Sequence, residues 1–109
     1  MIEVTIPIKS VSVANLRMHW AVKAKLAKSH RAMARNAMAI ASPAAPGLPL
    51  TLVLTRVGPR TLDTDNLASS LKAVRDGIAD WLGVDDGSPQ IDWQYAQKRG
   101  SYAVEVEVI

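Results

Sequence analysis

Two aspartates separated by one residue, Asp63 and Asp65, stand just before a segment with helical periodicity. In an extended chain, side chains two residues apart point the same way, so these carboxylates would lie together and repel each other. A hard divalent cation relieves that repulsion, and Mg²⁺ prefers few carboxylates together with water and phosphate oxygens. The spacing therefore predicts a metal site for phosphodiester hydrolysis, with a metal-oriented water as the nucleophile.

A second acidic pair, Asp85 and Asp86, follows the same helical segment. Asp86 can join the first pair only through tertiary folding or across a dimer, and the sequence leaves both routes open. The acidic residues also have an ordinary interpretation. Aspartates before helices are common N-caps, and Asp-Asp-Gly is a common turn.

The run Asp63-x-Asp65-Asn66-Leu67, an amphipathic helix and then Asp85-Asp86 together resemble the RusA family of Holliday-junction resolvases. The order of strands and helices fits that family over most of the chain, and residues 71–80 are similar to its phage members. The resemblance implies that Asp63, Asp65 and Asp86 bind catalytic Mg²⁺, with Mn²⁺ as a substitute. It also implies a homodimer that makes paired, symmetric nicks in four-way DNA junctions during recombination and repair.

The chain departs from the family pattern at Ser69, where the resemblance leads us to expect a catalytic lysine. Lys72 is the nearest replacement, about 4.5 Å further along a helix, and it shares a helical stripe with Asp65, Ser69 and Asp76. We therefore include Lys72 with the three aspartates as a catalytic candidate. The alternative is that Lys72 only pairs with Asp76 on the surface. The departure supports a second hypothesis, a DNA-binding protein that keeps the fold without cleaving.

The first part of the chain is strongly basic, whereas all the acids except Glu3 follow Arg60. A basic segment beside an acidic one suggests a polyanionic partner next to a metal site. A solvated helix surface is the alternative, and a protein module unrelated to nucleic acid is a third hypothesis for the whole chain. The residues predicted to contact DNA phosphates are Asn15, Arg17, Lys23, Lys25, Lys28, Arg31, Arg35, Arg56 and Arg60.

The elements that position these residues can be predicted from periodicity. Alternation predicts strands over residues 2–7, 50–57, 91–95 and 102–108, and helix formers predict helices over 16–41 and 65–82. The first helix is expected to be one long helix or two pieces broken near Ser29. Gly83 is the expected stop of the second helix, and Lys98-Arg99-Gly100 is expected to join the last two strands as a hairpin.

A chain of 109 residues in the order β-α-β-α-β-β predicts one domain over residues 1–109. The fold class is α/β of the α+β kind, with a single mixed sheet, two main helices and a RusA-like arrangement. The absence of cysteine excludes disulfides, thiolate metal sites and a cysteine nucleophile. We expect a cytoplasmic protein of a bacterial or phage-infected cell, with no membrane partner and no small-molecule cofactor.

Overall fold

A computed structural model describes residues 2–10 and 20–109 as one mixed sheet with two helices. The predicted element order and the α+β class are confirmed. The elements are β1 (Ile2–Ile6), α1 (Trp20–Ala41), β2 (Leu50–Gly58), α2 (Thr64–Leu82), β3 (Ile91–Arg99) and β4 (Ala103–Val108). Across the described ranges, no helix is both long enough and apolar enough to span a membrane.

The sheet has the strand order β1-β4-β2-β3. β4 runs antiparallel to both β1 and β2, whereas β3 runs parallel to β2. The predicted hairpin between the last two strands is therefore wrong, because β2 lies between them. β2 is apolar enough to be an inner strand, and β3 and β4 supply its two neighbours.

The link from β3 to β4 crosses the end of β2. Two strand spacings are about 10 Å, and the four steps from Arg99 to Ala103 can extend to about 13 Å, so the short link is long enough. Gly100 makes the crossing close, since its backbone N–H donates to the Gly58 carbonyl at 3.0 Å. A Cβ at Gly100 would lie 2.9 Å from Val57 Cγ1, so glycine suits this position.

Both helices pack on one face of the sheet, where the core lies. The inward rows of β2 and β4 alternate with outward residues, and Leu52, Leu54, Val104 and Val106 are at most 1% exposed. The helices complete the core with buried side chains, namely Ala34, Met38, Leu67, Leu71, Val74 and Ile78. The other face of the sheet carries polar side chains. This one-sided burial accounts for the period-two pattern in β4.

α1 is continuous from Trp20 to Ala41, so the predicted break near Ser29 is wrong. Ser29 is exposed in a segment rich in alanine, lysine and arginine, and such a segment can continue through one serine. The predicted start of this helix, near Leu16, lies outside the described residues. Trp20 is 75% exposed at the first turn of α1.

α2 has a defined cap at each end. Asp63 is the N-cap, and its Oδ1 accepts from the Asn66 backbone N–H at 2.9 Å. Gly83 is the C-cap with a φ of 73°, a left-handed conformation that glycine adopts without strain. The predicted helix and its predicted stop are therefore confirmed.

The two helices meet at backbone distance around Gly77 of α2. A Cβ at this position would lie 2.2 Å from the Arg31 carbonyl oxygen and 2.9 Å from Ala34 Cβ. Only a residue without a side chain allows α1 to approach α2 this closely.

The Gly77→Ala substitution should therefore destabilise the protein, although alanine favours helix by about 1 kcal/mol over glycine. We expect a net loss of about 1–3 kcal/mol in the free energy of unfolding, as in other overpacked contacts. Gly47→Ala is the control, since a Cβ there has no atom within 4 Å. Urea unfolding of both variants tests the contact, and a Gly77→Ala protein as stable as the original would contradict it.

Candidate functional site

The Asp63 and Asp65 side chains are exposed at the start of α2. The preceding residue, Leu62, is held by Gln97 of β3, whose side-chain amide forms hydrogen bonds with both the backbone N–H and the carbonyl of Leu62. Its Oε1 accepts from the Leu62 N–H at 2.8 Å, and its Nε2 donates to the Leu62 carbonyl at 2.7 Å. This paired contact fixes the residue before Asp63 against the sheet.

Asp86 lies beside the middle of α2, in a network with two cations. Its Oδ2 accepts from Lys72 Nζ at 2.7 Å, and the same Nζ donates to Asp76 Oδ1 at 2.7 Å. Arg75 Nε lies 3.1 Å from Asp86 Oδ2, an ion-pair contact that is not aligned as a hydrogen bond. Lys72 therefore makes the expected surface pair with Asp76, and it also bonds Asp86.

Arg75 and Trp93 anchor the backbone of the loop that carries Asp86. The Asp86 carbonyl accepts from Arg75 Nη2 and from Trp93 Nε1, each at 2.9 Å. The Arg75 guanidinium also lies 4.8 Å from the centroid of the Trp93 ring and donates to the Tyr95 hydroxyl. These contacts bring Asp86 back towards α2. The sequence left open whether Asp86 would reach Asp63 and Asp65 by tertiary folding or across a dimer, and folding of the single chain places it beside the middle of α2 instead.

Charge pairing shifts the titration of this network. The hydrogen bond from Lys72 lowers the pKa of Asp86, and hydrogen bonds to Asp76 and Asp86 raise the pKa of Lys72. On the facing helix, Arg31 bonds Asp80 at 2.6 and 2.8 Å and lowers the pKa of that carboxyl. Burial lowers the pKa of His30. These shifts favour the charged forms of Lys72, Asp80 and Asp86 and the neutral form of His30.

The three predicted metal ligands do not form one cluster in the protomer. The described residues contain no group of three or more His, Cys, Asp or Glu side chains placed to hold a metal ion. Asp86 lies beside the 72–76 turn, whereas Asp65 lies seven residues earlier than Lys72, about 10 Å along the helix axis. The helix begins at Thr64, so the extended geometry expected between Asp63 and Asp65 does not form, and the two remain candidate Mg²⁺ ligands as exposed carboxylates at the start of α2.

The predicted DNA-contacting residues divide into three groups. Lys23, Lys25, Lys28 and Arg35 lie on α1 with no carboxylate partner among the described residues, whereas Arg31 is paired with Asp80. Asn15 and Arg17 lie outside the described residues. The unpaired cations of α1 retain their charge for a polyanion.

Arg56 and Arg60 form the third group and are placed differently from each other. Arg56 is 3% exposed, and its Nε and Nη1 donate to the carbonyls of Ser10 and Arg60 at 3.1 and 2.7 Å. This side chain presents little surface to a phosphate. Arg60 is exposed beside it.

A cleft of about 530 Å³ separates α1 from the first half of α2. Ser69, which stands where the resemblance predicts lysine, lines this cleft together with Lys72 and Asp76 of α2. Lys28 and His30 face them from α1. Of the predicted stripe of Asp65, Ser69, Lys72 and Asp76, the last three therefore share one surface with α1 opposite, whereas Asp65 does not line the cleft.

Several residues of this region were not identified from the sequence. Gln97 and Arg75 act through long-range contacts with Leu62 and Asp86, and no local spacing indicates such pairs. Asp80 likewise pairs with Arg31, 49 positions away. Comparison of the chain with family models, curated protein sequences and solved structures gave no match.

We expect Lys72→Met to raise the pKa of Asp86 towards the ordinary aspartate value, because its main stabilising donor is lost. A carboxylate with a lowered pKa stabilises the fold above its ordinary pKa, and this contribution disappears as pH falls through the lowered value. The variant should therefore lose less stability on acidification below about pH 4. Carboxyl NMR titration measures the shift, and Lys25→Met is the control.

Proposed function

We propose that the chain is a structure-selective DNA endonuclease that resolves four-way junctions. Two copies of the chain would place two identical sites on opposite strands of a junction that has approximate two-fold symmetry. The products would be paired, symmetric nicks made with Mg²⁺ as the cofactor. The observation that carries the proposal is that the Asp63 and Asp65 carboxylates are both exposed at the start of α2, while the neighbouring helix carries cations that have no carboxylate partner in the described part of the chain.

The arrangement of charge supports this proposal. Lys23, Lys25, Lys28 and Arg35 are cations of α1 without carboxylate partners in the described ranges, so they remain available to phosphates. Such contacts are largely independent of base sequence, which suits an enzyme that recognises the shape of a junction. The opposite face of the sheet has the other sign, because Glu3 and Glu107 are register partners there. DNA would accordingly approach from the helical side.

The chain's own residues have separate roles in this proposal. Asp63 and Asp65 would hold the metal ion, with Asp63 Oδ1 engaged as the helix cap and Oδ2 left for the cation. Bound Mg²⁺ supplies charge neutralisation at the phosphate and a more acidic water. Gln97 holds Leu62 so that the two carboxylates keep their position. Lys72 balances Asp76 and Asp86 on the same helix.

The first test is nicking of a synthetic four-way junction with Mg²⁺ or Mn²⁺, compared with linear duplex. Asp63→Asn and Asp65→Asn should each reduce nicking by about 100-fold or more, since metal stabilisation of the transition state amounts to several kcal/mol. Asparagine is as good an N-cap as aspartate, so Asp63→Asn removes charge without removing the cap.

Asp92→Asn is the matched control, because Asp92 is an exposed carboxylate of β3 that, among the described residues, accepts only from the Gln94 side-chain amide. It should nick at the original rate. Junction-selective, metal-dependent nicking that survives both Asp63→Asn and Asp65→Asn would contradict the assignment of these carboxylates. Absence of nicking with either metal would contradict the endonuclease.

A second candidate is a protein that binds branched DNA without cutting it. The specific observation that favours it is the engagement of Asp86 by Lys72 and Arg75, away from Asp63 and Asp65. Ser69 also favours this candidate, because it stands where the resemblance leads us to expect a catalytic lysine. Tight junction binding without cleavage would support this candidate, and a gain of cleavage in Ser69→Lys would show that one missing cation accounts for the difference.

A further inference from the structure

The cations of the protein differ in whether a carboxylate neutralises them. Arg31, Lys72, Arg75 and Lys98 each lie within 3.1 Å of an aspartate or glutamate oxygen. Four cations at one end of the sheet have no carboxylate partner within residues 2–10 and 20–109, and the remaining residues contain no aspartate or glutamate. We call these four and the adjoining aromatic ring the sheet-end patch: Lys9, Arg56, Arg60, Arg99 and Tyr102.

The fold brings the members of the sheet-end patch together from four segments. Arg99 is the register partner of Gly58, because the parallel strands β2 and β3 end side by side. Arg56 Nη1 donates to the Arg60 carbonyl. Lys9 Nζ lies 5.2 Å from the centroid of the Tyr102 ring, and the Arg56 guanidinium lies 5.9 Å from the same centroid.

Arg56 makes the sheet-end patch unusual because, within the described ranges, this buried charge is held only by neutral groups. Its contacts are the carbonyls of Ser10 and Arg60 and the face of the Tyr102 ring, none of which cancels a full positive charge. A buried, uncompensated cation is costly and keeps its field. The Ser10 hydroxyl beside it is also buried and has no hydrogen-bond partner among the residues that the structure describes. A bound anion would compensate the Arg56 charge and could accept from the Ser10 hydroxyl, so both features favour anion binding.

The close fit around Arg56 indicates that its position is built into the fold. A Cβ at Gly58 would lie 2.9 Å from three atoms of the guanidinium, so glycine provides the space that the charge occupies. The patch also lies at the carboxyl ends of the two parallel strands, where open sheets commonly bind ligands.

We propose that the sheet-end patch binds a phosphodiester of the DNA backbone, next to the protein segment that leads from β2 to Asp63. Arg60 and Arg99 would contact the phosphate at the surface. Arg56 is buried beneath them and would attract the phosphate through its positive charge. Arg60 precedes Asp63 by three residues, at most about 10 Å of chain, and Gln97 fixes Leu62 between them. The inference rests on the proposed function in that the anion is DNA, and it adds Lys9, Arg99 and Tyr102 to the phosphate contacts predicted for Arg56 and Arg60.

The salt dependence of DNA binding tests this inference. The logarithm of the association constant for a labelled four-way junction should fall linearly with the logarithm of NaCl concentration, and each lost phosphate contact should lower the slope by about 0.9. Fluorescence anisotropy without Mg²⁺ would measure Arg60→Gln and Arg99→Gln. We expect the magnitude of the slope to fall by about 0.9 in each single variant and by about twice as much in the double variant.

Lys98→Gln is the matched control for Arg99→Gln. Lys98 is the adjacent exposed residue of the same strand, its substitution changes the net charge equally, and its partner is Glu105 at 2.8 Å. Its slope should stay at the original value. Circular dichroism would verify that all variants fold, and the exposed positions make this expected.

The outcomes separate this inference from the proposed function. If the original protein binds the junction and the Arg60 and Arg99 variants keep its full slope, the sheet-end patch is overturned while the DNA-binding proposal stands. If Lys98→Gln lowers the slope as much as Arg99→Gln, the effect is net charge alone and the patch is again overturned. If the original protein binds no junction at any salt concentration, the proposed function itself fails.

Discussion

The backbone of β2 must be hydrogen-bonded along both edges, and this requirement organises the molecule. Its two partners, β3 and β4, come from one short stretch of the chain, so the link between them has to cross the end of β2. The crossing brings Gly58, Gly100 and Tyr102 together and shapes the space around buried Arg56. The same pairing carries Gln97 to Leu62, and the candidate carboxylates at the start of α2 therefore depend on sheet pairing.

The cations of this framework fall into two groups, those paired with carboxylates and those that are not. Beside α2, aspartates and cations neutralise one another in two places, the Arg31–Asp80 pair and the cluster of Lys72, Arg75, Asp76 and Asp86. At the sheet end, and along α1 apart from Arg31, the cations of the described residues have no carboxylate partner. A polyanion would gain little by displacing existing ion pairs, because their charges are already compensated. The unpaired cations offer a larger gain, and they outline the surface where a nucleic acid would be most strongly attracted.

Local signals predicted most of the fold and only part of the site. The strand periodicity, the Asp63 cap and the Gly83 stop are short-range patterns, and the structure confirms the elements they predict. The hairpin prediction failed because strand order depends on which strand is apolar enough to lie inside, and neighbouring sequence does not specify that. The engagement of Asp86 by Arg75 and Trp93 depends on a loop folding back along α2. The buried position of Arg56 depends on contacts with Ser10, 46 positions away.

The position of β4 also determines when the sheet can assemble. Ile2 pairs with Val108, and β4 separates β1 from β2, so residues from the two extremes of the sequence must meet before β1 has any strand partner. While the protein is being synthesised, β1 and one edge of β2 remain unpaired until residues 103–108 have left the ribosome. Such distant pairing slows folding. Until β4 joins the sheet, β1 and one edge of β2 would thus be open strand edges that chaperones can bind.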